Sequence, residues 1–127
     1  MGLFKQKVRV SNLKNNSLSF EKDFWVDTGA LYSLIPMNFL EEIGFEPVST
    51  RNLMFANGKV DTRLFGLCNF EIEGINEKIP CPVVAGNNDS LFLLGATALE
   101  NFGVEADPIN KRLNSVLAII AGFRELM

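Results

Sequence analysis

The sequence predicts an all-β class of fold, mainly β with two short helices, and three observations support it. Short apolar segments alternate with turn residues. An Asn-Gly pair at residues 57–58, the strongest short hairpin signal, separates two of these segments. A strand–turn–helix pattern occurs twice, because residues 40–46 and 99–105 match in pattern, and each follows an apolar segment and a Gly-containing turn.

The first half of the chain is predicted to contain two hairpins around one helix. Residues 3–13 alternate loosely and end in a polar turn, so they form a strand, and residues 18–26 form its partner. Pro36 then opens a helix over residues 37–43, which Gly44 ends. Residues 51–66 form the hairpin that turns at the Asn-Gly pair.

The second half is predicted to contain two more hairpins and the second strand–turn–helix unit. Its elements are strands at 64–73 and 77–84, a polar loop at 86–90, a buried strand at 91–95, a helix at 96–102 that ends at Gly103, and a final hairpin from 104–107 and from 113 onward. Residues 116–127 are apolar and form either a strand or a helix, because periodicity alone does not decide between them.

The composition predicts one globular domain over residues 1–127. Hydrophobic residues make up 47% of the 127 residues, enough to bury a core. The net charge is −3 and no basic cluster is present, so nucleic acid is not an expected partner. The N-terminus has no apolar signal segment, and the apolar stretch 116–122 is too short to span a bilayer. We therefore expect a cytoplasmic protein without a membrane partner.

The chain has no histidine and two cysteines, which narrows the chemistry available to it. Without histidine, Ser-His-Asp triads, Cys-His pairs and His metal sites are excluded. Cys68 and Cys81 lie in neighbouring predicted strands and could face one another diagonally. We expect two buried thiols in a reducing compartment, with a disulfide as the alternative.

An Asp-Thr-Gly tripeptide at the end of an apolar segment is the main candidate for a functional site. Residues 24–26 run directly into Asp27, Thr28 and Gly29, and Ala30 follows. A carboxylate at the end of a buried strand is costly unless its surroundings use it. Glycine allows the tight turn that follows. For the tripeptide alone, an ordinary turn is the alternative, because Asp and Gly are common turn residues.

Together with two further elements in the same order, this loop resembles the retroviral-like (retropepsin-type) aspartic proteases. The two elements are the Asn-Gly hairpin at 57–58 and the Leu-Leu-Gly sequence at 93–95 with the helix that follows it. The resemblance covers residues 18–113. It implies a closed retropepsin-like β-barrel with the acid-protease fold, one half of a pepsin-like bilobal architecture. It also implies that Leu94 and Gly95 pack behind the catalytic loop.

The resemblance implies a role in the active site or its flap for eight residues. Asp27 corresponds to the catalytic aspartate, and the Thr28 hydroxyl ties the two loops of a homodimer together. Gly29 and Ala30 complete the turn under the active site. The hairpin tip corresponds to the flap that closes over a bound peptide and consists of Ala56, Asn57, Gly58 and Lys59.

The implied function is a homodimeric aspartic endopeptidase that acts on a peptide or protein substrate without a metal or other cofactor. Two Asp27 side chains, one from each copy, share one proton, activate a water and polarise the scissile carbonyl, so the pH optimum is acidic. The alternatives are a non-catalytic dimeric module that binds a peptide or protein, and an inert structural domain. Dimerisation distinguishes the inert domain from the other two, and cleavage that is lost on Asp27→Asn distinguishes the enzyme from the binding module.

Overall fold

A computed structural model of the protein describes residues 4–117, which contain nine strands and two short helices. Strands β1 to β9 comprise Lys5–Ser11, Ser19–Val26, Ser33–Pro36, Ser49–Met54, Val60–Ile72, Ile79–Gly86, Leu93–Leu94, Val104–Asp107 and Arg112–Ser115. Helices α1 and α2 comprise Met37–Glu42 and Ala96–Asn101. In this part of the chain, no helix is both long and apolar enough to cross a membrane.

Seven strands form one sheet in the order β1-β2-β7-β3-β6-β5-β4. A further antiparallel pairing of β1 with β5 closes six of them into a barrel, and β4 pairs with β5 outside this ring. The pairs β2–β7 and β3–β6 are parallel. Strands β8 and β9 form a separate two-stranded sheet. The predicted mainly-β closed barrel with two short helices is therefore confirmed.

The barrel interior is filled by apolar side chains that alternate along the strands. In β1, Val8 and Val10 are fully buried while Lys7 is exposed, and Phe24 and Val26 are buried in the same way in β2. This alternation follows from the two-residue period of a strand. The other strands and both helices supply the remaining core, which includes Ile35, Leu40, Phe70, Ile72, Val83, Leu94 and Leu99.

Both helices lie where the sequence predicts them. Helix α1 begins directly after Pro36, and α2 begins directly after Gly95. Each ends at a glycine with a positive φ, which is 70° at Gly44 and 64° at Gly103. Glycine adopts this left-handed conformation without steric cost, and this explains why the two glycines end the helices.

The strands differ from the predicted ones in two places. The second strand of the hairpin predicted at 51–66 and the strand predicted at 64–73 are one continuous strand, the 13-residue β5. This strand forms hairpins with both β4 and β6. The strand predicted at 91–95 is shorter, because β7 pairs only over Leu93–Leu94, between β2 and β3. The prediction for residues 116–127 falls almost entirely on residues 118–127, outside the described part of the chain.

The two cysteines are direct partners across the β5–β6 hairpin, so the predicted diagonal placement is wrong. The register is set by the pairing of Phe70 with Ile79 on either side of the connecting loop. Both cysteines are buried free thiols. Burial raises the pKa of each thiol to about 12; the Cys81 thiol adds to the rise at Cys68, and a hydrogen bond from Asn101 opposes the rise at Cys81.

Candidate active site

The acid loop, defined as residues 27–30, begins where the parallel pairing of β2 with β7 ends. The backbone N–H of Asp27 donates to the carbonyl oxygen of Leu94 at 3.0 Å, directly after the pairing of Val26 with Leu94. Within the loop, the N–H of Ala30 donates to the carbonyl oxygen of Asp27 at 3.2 Å. Strand β7 therefore fixes the backbone of Asp27 at the point where it leaves the barrel.

The Asp27 carboxylate lies at the barrel edge and is half-buried. Its Oδ1 atom accepts a hydrogen bond from the Gly29 N–H at 3.0 Å. A Cβ atom at Gly29 would lie 3.3 Å from the same oxygen, so a side chain there would crowd the carboxylate. The tight turn and the orientation of the acid thus depend on each other.

Helix α2 holds the chain that leaves the acid loop. The Ala96 N–H donates to the carbonyl oxygen of Ala30 at 2.7 Å. The carbonyl oxygen of Leu31 accepts from the Thr97 N–H at 3.0 Å and from the Thr97 hydroxyl at 2.7 Å. The first turn of α2 would otherwise leave its N–H groups unpaired. The carbonyl oxygens of Ala30 and Leu31 therefore pair with the free N–H groups of the helix, and the same hydrogen bonds fix the end of the loop.

Gly95 makes the close approach between α2 and the acid loop possible. A Cβ atom at this position would lie 2.5 Å from the carbonyl oxygen of Tyr32 and 2.9 Å from that of Ala30. The Gly95 N–H donates to the Oγ of Ser33 at 3.1 Å, and the Ser33 side chain is fully buried. Gly95 and Ser33 therefore join the two strand–turn–helix units behind the acid.

The structure places the four predicted loop residues in one turn, with Leu94 and Gly95 behind them. The assignment of Asp27 as the catalytic residue stays a prediction. Ser33 and Thr97 also anchor the loop, and neither is among the site residues predicted from the sequence. A polar residue at the start of the buried segment Ser33–Pro36 is the signal that could have identified Ser33. The sequence contains no comparable signal for Thr97.

The hairpin tip, residues 56–59, extends from β4 and β5 outside the barrel. The N–H of Phe55 donates to the carbonyl oxygen of Lys59 at 2.8 Å, and the Lys59 N–H donates to Oδ1 of Asn57 at 2.9 Å. Gly58 has a φ of 83°, as the Asn-Gly turn requires. All four tip residues are exposed. Their assignment as a flap over a substrate stays a prediction.

The base of this hairpin contacts the segment that follows the acid loop. The Nε of Arg51 donates to the Tyr32 hydroxyl at 3.4 Å. The Arg51 guanidinium carbon lies 3.7 Å from the centroid of the Phe65 ring, and the rings of Tyr32 and Phe65 meet edge to face at 5.2 Å. The hairpin is thereby tied to the barrel beside the acid.

A single Asp-Thr-Gly loop at the edge of a closed six-stranded barrel defines the protein as one half of an acid-protease fold. The family model described as "gag-polyprotein putative aspartyl protease" matches residues 13–101. Because the match spans more than half of the chain, the protein belongs to this family of retroviral-type aspartic proteases.

Two solved structures of viral proteases share this fold. The protease of simian foamy virus (mac), solved in solution, is 19% identical with a TM-score of 0.53, over 76% of this chain and 91% of that one. The EIAV protease, complexed with the inhibitor HBY-793, is 14% identical with a TM-score of 0.58, over 81% of this chain and 90% of that one. A search of curated proteins finds no match.

Proposed function

We propose that this protein is an aspartic endopeptidase that works as a homodimer. The observation that carries the proposal is the acid loop, in which the half-buried Asp27 carboxylate is oriented by the Gly29 N–H and held from behind by Leu94. Each chain has one Asp-Thr-Gly sequence. Since aspartic-protease chemistry requires two carboxylates side by side, the second one comes from a second copy.

In the proposed dimer, the two Asp27 side chains face each other at the symmetry axis and share one proton. The ionised carboxylate removes a proton from a water molecule, which attacks the carbonyl carbon of the scissile peptide bond. The protonated carboxyl group donates to the carbonyl oxygen, and the resulting tetrahedral intermediate breaks down with proton transfer to the leaving nitrogen. Two carboxylates that share a proton are active between two titration steps, so the pH–rate profile is bell-shaped.

The substrate in this proposal is an extended peptide or an unfolded protein segment. The hairpin tip is the flap that closes over it, and backbone groups of the tip pair with the backbone of the peptide. The polar tip sequence Ala56-Asn57-Gly58-Lys59 supports a flap that is solvated when it is open. The Thr28 hydroxyl, which is exposed at the barrel edge, is available to the partner loop.

The Asp27→Asn variant tests the catalytic assignment. It keeps the size of the side chain and removes the acid, so cleavage of an unfolded protein at mildly acidic pH should fall by more than about 10²-fold. The control is Asp23→Asn, since Asp23 is an exposed aspartate in β2, the strand that leads into Asp27. Cleavage measured by the appearance of new N-termini should persist in the control. Full cleavage by Asp27→Asn would contradict the assignment.

The solution mass tests the proposed assembly. Light scattering coupled to size exclusion should give twice the 14.1 kDa of one chain under conditions where cleavage is observed. Cleavage that persists while the protein stays monomeric would exclude an Asp27 dyad. A dimer that binds a peptide without cutting it would instead identify the alternative, a non-catalytic binding module with the same fold.

A further inference from the structure

Arg51 lies on the partly buried face of the hairpin formed by β4 and β5, and this face contacts Tyr32, two residues beyond the acid loop. In β4, Arg51 and Leu53 are partly buried while Asn52 and Met54 are exposed, as the two-residue period of a strand requires. The contact between Arg51 Nε and the Tyr32 hydroxyl joins this face to the segment after the acid loop. A peptide held between the flap and the acid loop would therefore pass the Arg51 side chain.

The guanidinium of Arg51 is held in a fixed orientation by neutral groups. Its carbon lies 3.7 Å from the Phe65 ring centroid, and Nε contacts the Tyr32 hydroxyl. The Nη1 atom donates to the Ser49 Oγ at 2.7 Å and to the carbonyl oxygen of Thr50 at 3.0 Å. Stacking and hydrogen bonding orient the group, but none of these partners carries a negative charge.

Among residues 4–117, no carboxylate lies within 4.0 Å of Arg51. The ion pairs in this part of the chain are Arg9–Glu71, Lys14–Glu46 and Arg63–Asp61. The Nη2 atom of Arg51 has no hydrogen-bond partner within the same residues. A half-buried arginine that is oriented by aromatic rings but lacks a counterion presents an open donor to a ligand.

Arg63 provides the contrast, because it is the cross-strand partner of Arg51 in β5. Its Nη2 pairs with Asp61 at 3.0 Å and its Nη1 donates to the Oδ1 of Asn87 at 2.8 Å. The two arginines therefore occupy equivalent positions at the base of one hairpin. The charge of Arg63 is compensated within the chain and the charge of Arg51 is not.

We propose that Arg51 binds an acidic side chain of the peptide substrate, so that the enzyme prefers Glu or Asp at one position near the scissile bond. This inference rests on the proposed function of the site. A guanidinium offers parallel N–H donors to the two oxygens of a carboxylate, which a neutral amide cannot match. The rings of Tyr32 and Phe65 exclude water from one side of the pair and strengthen it.

Matched peptides test the proposal. A sequence that the wild-type enzyme cleaves is prepared with Glu or with Gln at each position flanking the scissile bond, and kcat/KM is measured for each pair. At one position, the Glu peptide should be cleaved about tenfold better than the Gln peptide. In Arg51→Gln this ratio should fall to about one, whatever the change in cleavage of the Gln peptide itself.

Two further variants separate charge recognition from a structural effect. Arg51→Lys should keep a ratio above one, because the positive charge remains. The matched control Arg63→Gln should keep the full ratio, because Arg63 is already paired with Asp61. An unchanged ratio in Arg51→Gln, or an equal loss in Arg63→Gln, would overturn the proposal. Thermal unfolding of each variant establishes that the fold is intact.

A binding experiment keeps this inference separate from the proposed proteolysis. Fluorescent Glu and Gln peptides are titrated into Asp27→Asn and into the double variant with Arg51→Gln, and the two affinities are compared. If the wild-type protein cleaves no peptide, the proposed function fails, yet a Glu preference that depends on Arg51 still supports the inference. If peptides are cleaved without any Glu preference, the inference fails and the proposed function stands.

Discussion

Gly95 is the residue on which the packing behind the acid loop depends most directly. Its φ of −90° is open to any residue, so its importance is not conformational freedom. The limit is space, because the carbonyl oxygens of Tyr32 and Ala30 occupy the region where a side chain would begin. Backbone atoms cannot rotate away as a flexible side chain can, so the two segments must separate to admit a methyl group.

We therefore expect Gly95→Ala to lower the free energy of unfolding by about 1–3 kcal/mol, the usual cost of forcing atoms into a packed site. Cleavage should fall as well, since the displaced segment carries Asp27. Gly103→Ala is the comparison: Gly103 has a positive φ but no atom within 4 Å of an added Cβ, so its cost comes from backbone strain alone. Denaturant unfolding and kcat/KM measure both; preserved cleavage in Gly95→Ala would contradict the packing argument.

At the level of residues, the sequence predicts the acid loop well and its supports poorly. Asp27, Thr28 and Gly29 are contiguous, and Asp and Gly are residue types that favour a turn. Ser33 and Thr97 act through hydrogen bonds to residues 62 and 66 positions away, so no local pattern identifies their roles. Arg51 is similar, because its missing counterion becomes apparent only once the neighbouring chains are in place.

Among the elements, α2 contributes more to the site than its six residues suggest. The Thr97 hydroxyl adds a second donor to the carbonyl oxygen of Leu31, at 2.7 Å. The helix therefore fixes the chain just beyond the acid loop through both backbone and side chain. Helix α1 occupies the corresponding place in the first half, where the Gly-containing turn carries the acid, whereas the turn before α2 carries none.

Thr97→Val tests this anchoring, because valine has nearly the same shape and lacks the hydroxyl. We expect a loss of about 0.5–1.5 kcal/mol in the free energy of unfolding, the net value of one hydrogen bond. Expressed as a free energy, the loss of kcat/KM should exceed the loss in the free energy of unfolding. Both are measured at a temperature where the variant is folded. Thr50→Val is the control, since Thr50 is exposed. Equal effects of the two substitutions would show that the hydroxyl does not anchor the loop.

The elements were predictable where turn chemistry is local and unpredictable where strands meet over long distances. Gly44, Gly58 and Gly103 all have positive φ, and each marks the end of a helix or a hairpin turn that the sequence predicts. Strand β7 has only two residues and pairs with β2 in parallel, a contact that leaves no periodicity in the sequence. The apolar run at 91–95 therefore predicts a strand but neither its length nor its partners.

Over the whole molecule, the buried cysteine pair links the stability of the barrel to alkaline pH. The pKa of each thiol rises from 9.0 to about 12 on folding, mainly because burial disfavours the thiolate. Between these values the unfolded chain releases protons that the folded chain keeps. Stabilisation by the two thiols is thus complete below about pH 9 and is lost as the pH rises through about 12.

We expect the free energy of unfolding to fall between pH 9 and 12 more steeply in the wild-type protein than in a Cys68→Ala/Cys81→Ala variant. Chemical denaturation at a series of pH values under reducing conditions measures the two slopes. The variant is the reference for the wild-type protein, because both proteins contain the other groups that titrate in this range. Parallel curves for the two proteins would mean that the thiols are not protected by burial.

The pairing of β2 with β7 also has a consequence for the order in which the molecule is built. Asp27 leaves the ribosome early, but the residues that shape its turn, Leu94 to Thr97, follow much later in synthesis. Contacts between such distant segments close slowly, because a long loop must first be brought together. The nascent chain thus carries Asp27 without the contacts that shape its turn until nearly all of the barrel has been made.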